Sequence, residues 1–92
     1  MEKKRGMKID ANDTVGVVLE YVKKGDLVAF GDEVVEALED INMPHKIALK
    51  DHSVGDTLYK YGEVIGYATK PISKGAWVHV HNLDSEKIMK QE

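Results

Sequence analysis

Two of the chain's four histidines, His79 and His81, stand two residues apart in the run Gly75-Ala76-Trp77-Val78-His79-Val80-His81-Asn82. The run reads as a β-strand, and strand side chains alternate faces, so both imidazoles are expected to point the same way. The Asn82 amide joins them at the strand end. Two other polar groups have similar settings. His45-Lys46 follows Pro44 at the start of one expected strand, and Lys60-Tyr61-Gly62 ends another. All three groups lie beside turns, where side chains from different strands converge on one rim of a small barrel. Together they offer imidazoles, ammonium groups, a phenol and an amide. Such a set suits a polyhydroxy carboxylate, with cations for the carboxylate and neutral donors and acceptors for the hydroxyls. Each group also fits plain solvated surface, which is how His52 reads. A His-x-His pair is a metal-ligand pattern as well, but two ligands do not make a site and the sequence offers no third. Trp77 reads as a core or interface anchor.

The elements that must position these residues are short. A pattern of polar turn residues, then Gly, then β-formers recurs as Lys23-Lys24-Gly25-Asp26-Leu27, Ser53-Val54-Gly55-Asp56-Thr57 and Ser73-Lys74-Gly75-Ala76-Trp77. The simplest physics is a tight turn with Gly at positive φ launching a strand. The copies are too unevenly spaced for a solenoid. Strands are expected over residues 15–21, 27–30, 45–49, 58–61, 64–68 and 77–82. Gly31-Asp32 and Gly62-Glu63 read as two-residue hairpin loops. Residues 33–38 fit a helical stripe through Val34, Val35, Leu38 and Ile41 as well as a strand; the hairpin-like flanks favour strand. Residues 33–40 and 85–92 are charged, solvated faces. The reading is therefore an all-β domain over 7–83, between a disordered tail at 1–6 and a charged tail at 84–92.

Composition excludes several classes. The 92 residues form one small domain that buries only about two-thirds of its unfolded surface, so association with a partner or with further copies of itself would help it. A net charge of −3 and one short basic run, Lys3-Lys4-Arg5, argue against a nucleic-acid footprint. There is no cysteine, hence no disulfide, thiolate nucleophile or Fe–S ligand on this chain. No apolar run approaches the ~18 residues of a membrane span, and residues 1–10 lack the pattern of a signal peptide. The expectation is a soluble cytoplasmic protein. No Gly-rich phosphate loop or Ser-His-Asp arrangement is present.

Several motifs occur in order at a familiar spacing: Asp40-Ile41, His45-Lys46-Ile47-Ala48-Leu49, Lys60-Tyr61-Gly62 with Ile65-Gly66-x-Ala68, and Gly75-x-Trp77-Val78-His79-x-His81-Asn82. Lys8-Ile9 and Asp13-x-Val15 fit the start. Over residues 7–83 the chain resembles the N-terminal SAF-type domain of the altronate dehydratase–galactarate dehydratase family, including the free-standing small subunit of sulfolactate sulfo-lyase. The resemblance implies a β-clip fold, a small barrel of short strands and hairpins, and supports strand for 33–38. It implies a sugar-acid substrate and a partner, the large dehydratase subunit, which would carry any iron, Fe–S cluster or divalent metal; no cofactor is expected on this chain alone. In such reactions a base removes the proton α to a carboxylate and the β-substituent leaves. The resemblance assigns His45, Lys46, Lys60, Tyr61 and Asn82 to substrate binding, with Lys46 and Lys60 on the carboxylate. His79 or His81 would be the acid assisting the leaving group. One departure stands out. The family has Pro, a spacer and Gly before His-Lys, whereas this chain has Asn42-Met43-Pro44-His45, so the loop ahead of His45 is expected to differ. Two other readings stay open: a binding or assembly module that does no chemistry, and a stand-alone metal-binding protein.

Overall fold

The computed structural model describes residues 3–84. Expectations for residues 1–2 and for the 85–92 tail lie outside the described residues. The fold is all-β. Nine short strands run in order: Lys4–Met7 (β1), Val15–Val18 (β2), Leu27–Phe30 (β3), Glu33–Glu36 (β4), Lys46–Ala48 (β5), Thr57–Lys60 (β6), Glu63–Ala68 (β7), Trp77–Val78 (β8) and Leu83–Asp84 (β9). They make a six-stranded sheet, β4-β3-β1-β2-β5-β8, and a three-stranded sheet, β6-β7-β9. This is the curled set of short strands and hairpins expected of a β-clip.

The Gly turns form as the residue pattern requires. Gly25, Gly55 and Gly75 adopt φ of 93°, 89° and 93°, each at the third position of a turn closed by Lys23 O to Asp26 N, Ser53 O to Asp56 N and Ser73 O to Ala76 N. A fourth copy carries no Gly. Asn42-Met43-Pro44-His45 closes the same turn, His45 N donating to Asn42 O at 2.8 Å, around a cis Met43–Pro44 peptide. Proline stands at the third turn position that Gly holds elsewhere, so the loop before His45 keeps the closing hydrogen bond but not the positive φ of the Gly turns, and its shape differs as expected.

The four turns form two equivalent halves. In one, Val22 bridges Ile41; in the other, His52 bridges Ile72. Each half has a Gly turn, a hairpin and a second turn. In each, the turn Gly donates to an alanine carbonyl, Gly25 N to Ala37 O and Gly55 N to Ala68 O. The strands that close the halves, β5 and β8, pair antiparallel, with Ile47 opposite Trp77 and Lys46 opposite Val78. His45-Lys46 and Trp77 are thus brought side by side.

β2 is buried on both faces, because Val18 belongs to a core with Val28, Phe30, Val35, Ile41 and Ile47, and Val15 to a second with Ala48, Leu58, Ala68, Ile72 and Val78. That explains its unbroken apolar run.

The structure corrects several boundaries. β1 starts at Lys4, inside the expected tail, and pairs with both β2 and β3. The Phe30 ring lies over Gly6 and Gly16, where a Cβ would collide with it. Arg5 also bonds Glu20 through its backbone N at 2.8 Å. Residues 33–36 form the strand that the hairpin-like flanks favour, ending two residues before Leu38. The second hairpin loop is Tyr61-Gly62 and not Gly62-Glu63: Lys60 pairs with Glu63, and both loop residues have positive φ, 58° and 79°, the geometry of a type I′ turn. The last expected strand, 77–82, stops at Val78.

His52 is not solvated surface. It is 5% exposed, and neither ring nitrogen has a hydrogen-bond partner of good geometry, although the Lys50 backbone approaches the ring. Burial lowers its pKa, outweighing the Asp56 and Asp51 carboxylates and the Lys50 backbone, which pull the other way; the Lys50 charge adds to the lowering. A base with a lowered folded pKa costs stability as pH falls below its unfolded value, about 6.5. His52→Leu removes two unpartnered polar atoms, so it should stabilise the fold by about 1 kcal/mol at neutral pH. It should also flatten the loss of stability between pH 7 and 5. Urea titrations at several pH values measure both; an unchanged acid limb would show that His52 does not titrate in the fold.

Candidate functional site

Four rings meet where the two halves join. The Trp77 indole is stacked on His79, with centroids 5.3 Å apart and planes 11° apart, and His81 tilts against it at 5.0 Å. His45 contacts both Trp77 at 5.5 Å and His79 at 5.1 Å. Trp77 Nε1 donates to His45 Nδ1 at 3.0 Å. An acceptor at Nδ1 puts the proton of a neutral His45 ring on Nε2, the nitrogen left free for a ligand. Trp77 is itself fixed: it packs on the larger core, and its backbone N donates to the Glu39 carboxylate at 2.9 Å.

The turn after Val78 presents His79 and His81. Asn82 is buried and spends its amide on that turn, accepting from His79 N and donating to Trp77 O, both at 2.9 Å. Asn82 N also donates to His79 O at 3.0 Å. This side-chain capture reverses the chain, which is why the strand ends early. Asn82 was expected to contact a ligand, but its amide acts by shaping the turn. The two histidines share a neighbour through Trp77 and not through strand alternation.

His45 is the common wall of two clefts. One, of about 190 Å³, is lined by Pro44, His45, Lys46 and His79. The other, of about 320 Å³, is lined by Tyr21, Asp40, Asn42, His45 and Trp77. Lys46 makes no ion pair among the described residues. Burial lowers its pKa, and the charge of Lys60 lowers it further. Lys60 in turn lies over the Tyr61 ring, its ammonium 4.8 Å from the centroid. The structure therefore gathers His45, His79 and His81 around Trp77 and places Lys46 beside His45 and His79; Lys60 and Tyr61 form a separate pair whose charge acts on Lys46.

The family profile described as the altronate/galactarate dehydratase SAF domain matches residues 4–86. The chain belongs to that family. The SAF domain is 42% identical over 77 residues to the altronate dehydratase of Bacillus subtilis, covering 83% of this chain and 15% of that protein. To the altronate dehydratase of Escherichia coli it is 40% identical, again over 15% of that protein. To the (2R)-sulfolactate sulfo-lyase subunit alpha of Chromohalobacter salexigens it is 35% identical, over 85% of this chain and 90% of the subunit. The chain thus spans about 15% of the dehydratases it matches and nearly all of the lyase subunit.

Two residues of the SAF-domain site were not singled out for it by sequence. Trp77, expected as an anchor, is the hub of the ring cluster; the strand ends at Val78, so strand alternation could not signal it. Asp13 is the other. It is 5% exposed, and its carboxylate accepts from the backbone N of Ile9 at 3.3 Å, Asp10 at 3.1 Å and Gly62 at 2.8 Å. Burial alone would raise its pKa, but bonds from the Gly62, Asp10, Tyr61 and Ile9 backbones outweigh it and hold the carboxyl below its ordinary value. Among the described residues no three His, Asp or Glu side chains gather to hold a metal ion; the indole stands between His79 and His81.

Proposed function

We propose that this SAF domain is the small subunit, or small portion, of a sugar-acid dehydratase and completes the substrate site of a large subunit. One observation carries the reading: Lys46 lines a cleft with His45 and His79, makes no ion pair among the described residues, and is acted on by the positive charge of Lys60. A half-buried cation acted on by another costs free energy unless an anion arrives. A carboxylate is the anion that the relatives' printed substrates supply, and imidazoles beside it suit hydroxyls.

In this reading Lys46 and Lys60 pair with the substrate carboxylate. They stabilise the negative charge that grows on it as a base of the large subunit removes the α-proton. His79 or His81 gives a proton to the β-hydroxyl, which leaves as water, and the enol product becomes the 2-keto acid. His45 Nε2–H donates to a substrate hydroxyl. Iron, an Fe–S cluster or a divalent metal would belong to the large subunit. The match to nearly the full length of a sulfolactate sulfo-lyase subunit favours a second version, in which sulfite is the leaving group on the same scaffold.

The test is reconstitution with the cognate large subunit, assayed on altronate and on sulfolactate. Altronate turnover supports the dehydratase and sulfolactate turnover the sulfo-lyase. Lys60→Ala and His81→Ala should each lower kcat/KM by about tenfold or more. Full rates in both variants, with the complex still formed, would make the chain an assembly module.

A further inference from the structure

Asp13 connects a buried carboxylate to the turn that follows Lys60. It sits in the turn before β2, yet it holds the tip of the β6–β7 hairpin, accepting the Gly62 amide at 2.8 Å across 49 residues of sequence. The Tyr61 amide also approaches it. That tip is unusual. Tyr61 has φ of 58° and is the one non-Gly residue with positive φ among the described residues. A side chain in this region costs roughly 1–3 kcal/mol unless its surroundings hold it there. The Gly62 side is held from the same turn, since a Cβ on Gly62 would lie 2.9 Å from Asp10 Oδ2. The Tyr61 ring lies under the Lys60 ammonium at 4.8 Å, and the Lys60 charge acts on Lys46.

We propose that Asp13 is a positioning residue for the substrate carboxylate, acting through the Tyr61-Gly62 turn to hold Lys60 over the Tyr61 ring. The inference rests on the dehydratase reading for what Lys60 binds, but not for how Lys60 is held. A long cation would otherwise swing into water, where its rotamer freedom is greatest. A carboxylate suits the task because it accepts several amides at once, and a neutral amide cannot match it.

The test has two parts. In the chain alone, the Lys60 ε-methylene protons should be shifted upfield by the Tyr61 ring current. Asp13→Asn should move them toward ordinary lysine values and leave the Trp77 and His79 signals in place. In the reconstituted enzyme, Asp13→Asn should raise KM for altronate by about fivefold to thirtyfold with kcat changed little. In a Lys60→Ala background the same substitution should change KM less than about twofold, because a residue acting through Lys60 has nothing left to position. If Asp13→Asn does not fold, Tyr61→Gly serves in its place, since glycine suits positive φ and removes the ring. It should give the same KM rise, again absent without Lys60. An unshifted Lys60 signal, or KM effects that simply add, overturns the proposal. If the parent's Lys60 signal answers to Asp13→Asn but Lys60→Ala leaves KM normal, Asp13 still holds Lys60 and it is the pairing of Lys60 with the substrate carboxylate that is overturned.

Discussion

Replacing Gly75 by alanine will cost this domain about 4 kcal/mol or more, several times the cost of the same change at Gly25 or Gly55. The three glycines occupy the same turn position with φ of 93°, 93° and 89° for residues 25, 75 and 55. The backbone penalty for an alanine there, roughly 1–2 kcal/mol, is therefore common to all three. Space distinguishes them. A Cβ on Gly25 or Gly55 meets nothing within 4 Å, whereas on Gly75 it would overlap the Glu36 carbonyl oxygen and lie 3.2 Å from Leu38 Cγ. The turn cannot retreat: Gly75 N donates to Ala48 O and Gly75 O accepts from Leu38 N, both at 2.9 Å. Relief would break these bonds between the two halves, two residues ahead of Trp77. A small domain has a total stability of only about 5–10 kcal/mol, so Gly75→Ala should remove a large part of it. Urea denaturation of the three variants measures the comparison. Equal losses at all three would mean that Glu36 and Leu38 yield freely.

That contrast also marks what the sequence made legible. Positive φ at Gly25, Gly55 and Gly75 could be read from one residue and its polar neighbours, because backbone sterics are local. What surrounds Gly75 could not, since Glu36 and Leu38 come from the other half. The same division runs through the fold. The turn at Asn42–His45 escaped notice because proline, not glycine, fills its third position. The equivalence of the halves is hidden by divergent side chains, as in Leu27-Val28-Ala29-Phe30 against Thr57-Leu58-Tyr59-Lys60. β1 reads as a charged tail because its partners, Val18, Ala29 and the Phe30 ring, are distant in sequence. In the site, His45, Lys46, Lys60, His79 and His81 could be named from residue type and motif. Their grouping depends on strand pairing between β5 and β8 and on side chains that bond backbone, Asn82 and Asp13, whose burial no one-dimensional pattern reports. His52 shows the converse: a histidine with polar neighbours in sequence, buried by the bridge to Ile72.

Lys46→Met should move stability and activity in opposite directions. Methionine keeps most of the stem's length and apolar contact and removes the charge. Lys46 is half-buried, its pKa lowered by that burial and then by Lys60. A lowered lysine pKa means that the unfolded chain binds the proton more tightly than the fold does. Folding is therefore penalised at neutral pH, and the penalty fades as pH rises toward the unfolded value of about 10.4. Removing the charge relieves it, so the variant should be more stable at pH 7, by at most about 1 kcal/mol because water still screens the group. Its margin over the parent should shrink on approach to pH 10. In the reconstituted enzyme the substrate carboxylate would lose a desolvated cation, and truncating one partner of such a pair costs about 2–4 kcal/mol. That corresponds to roughly 30-fold to 1000-fold in kcat/KM. The two measurements separate the possible roles of Lys46. A structural lysine would lose stability with the substitution and leave turnover to follow the folded fraction. A stability gain without a loss of kcat/KM would leave the unpaired charge of Lys46 with no substrate to meet. A gain accompanied by that loss places Lys46 where a substrate anion, absent from the free chain, offsets the cost of a half-buried ammonium group acted on by a second cation.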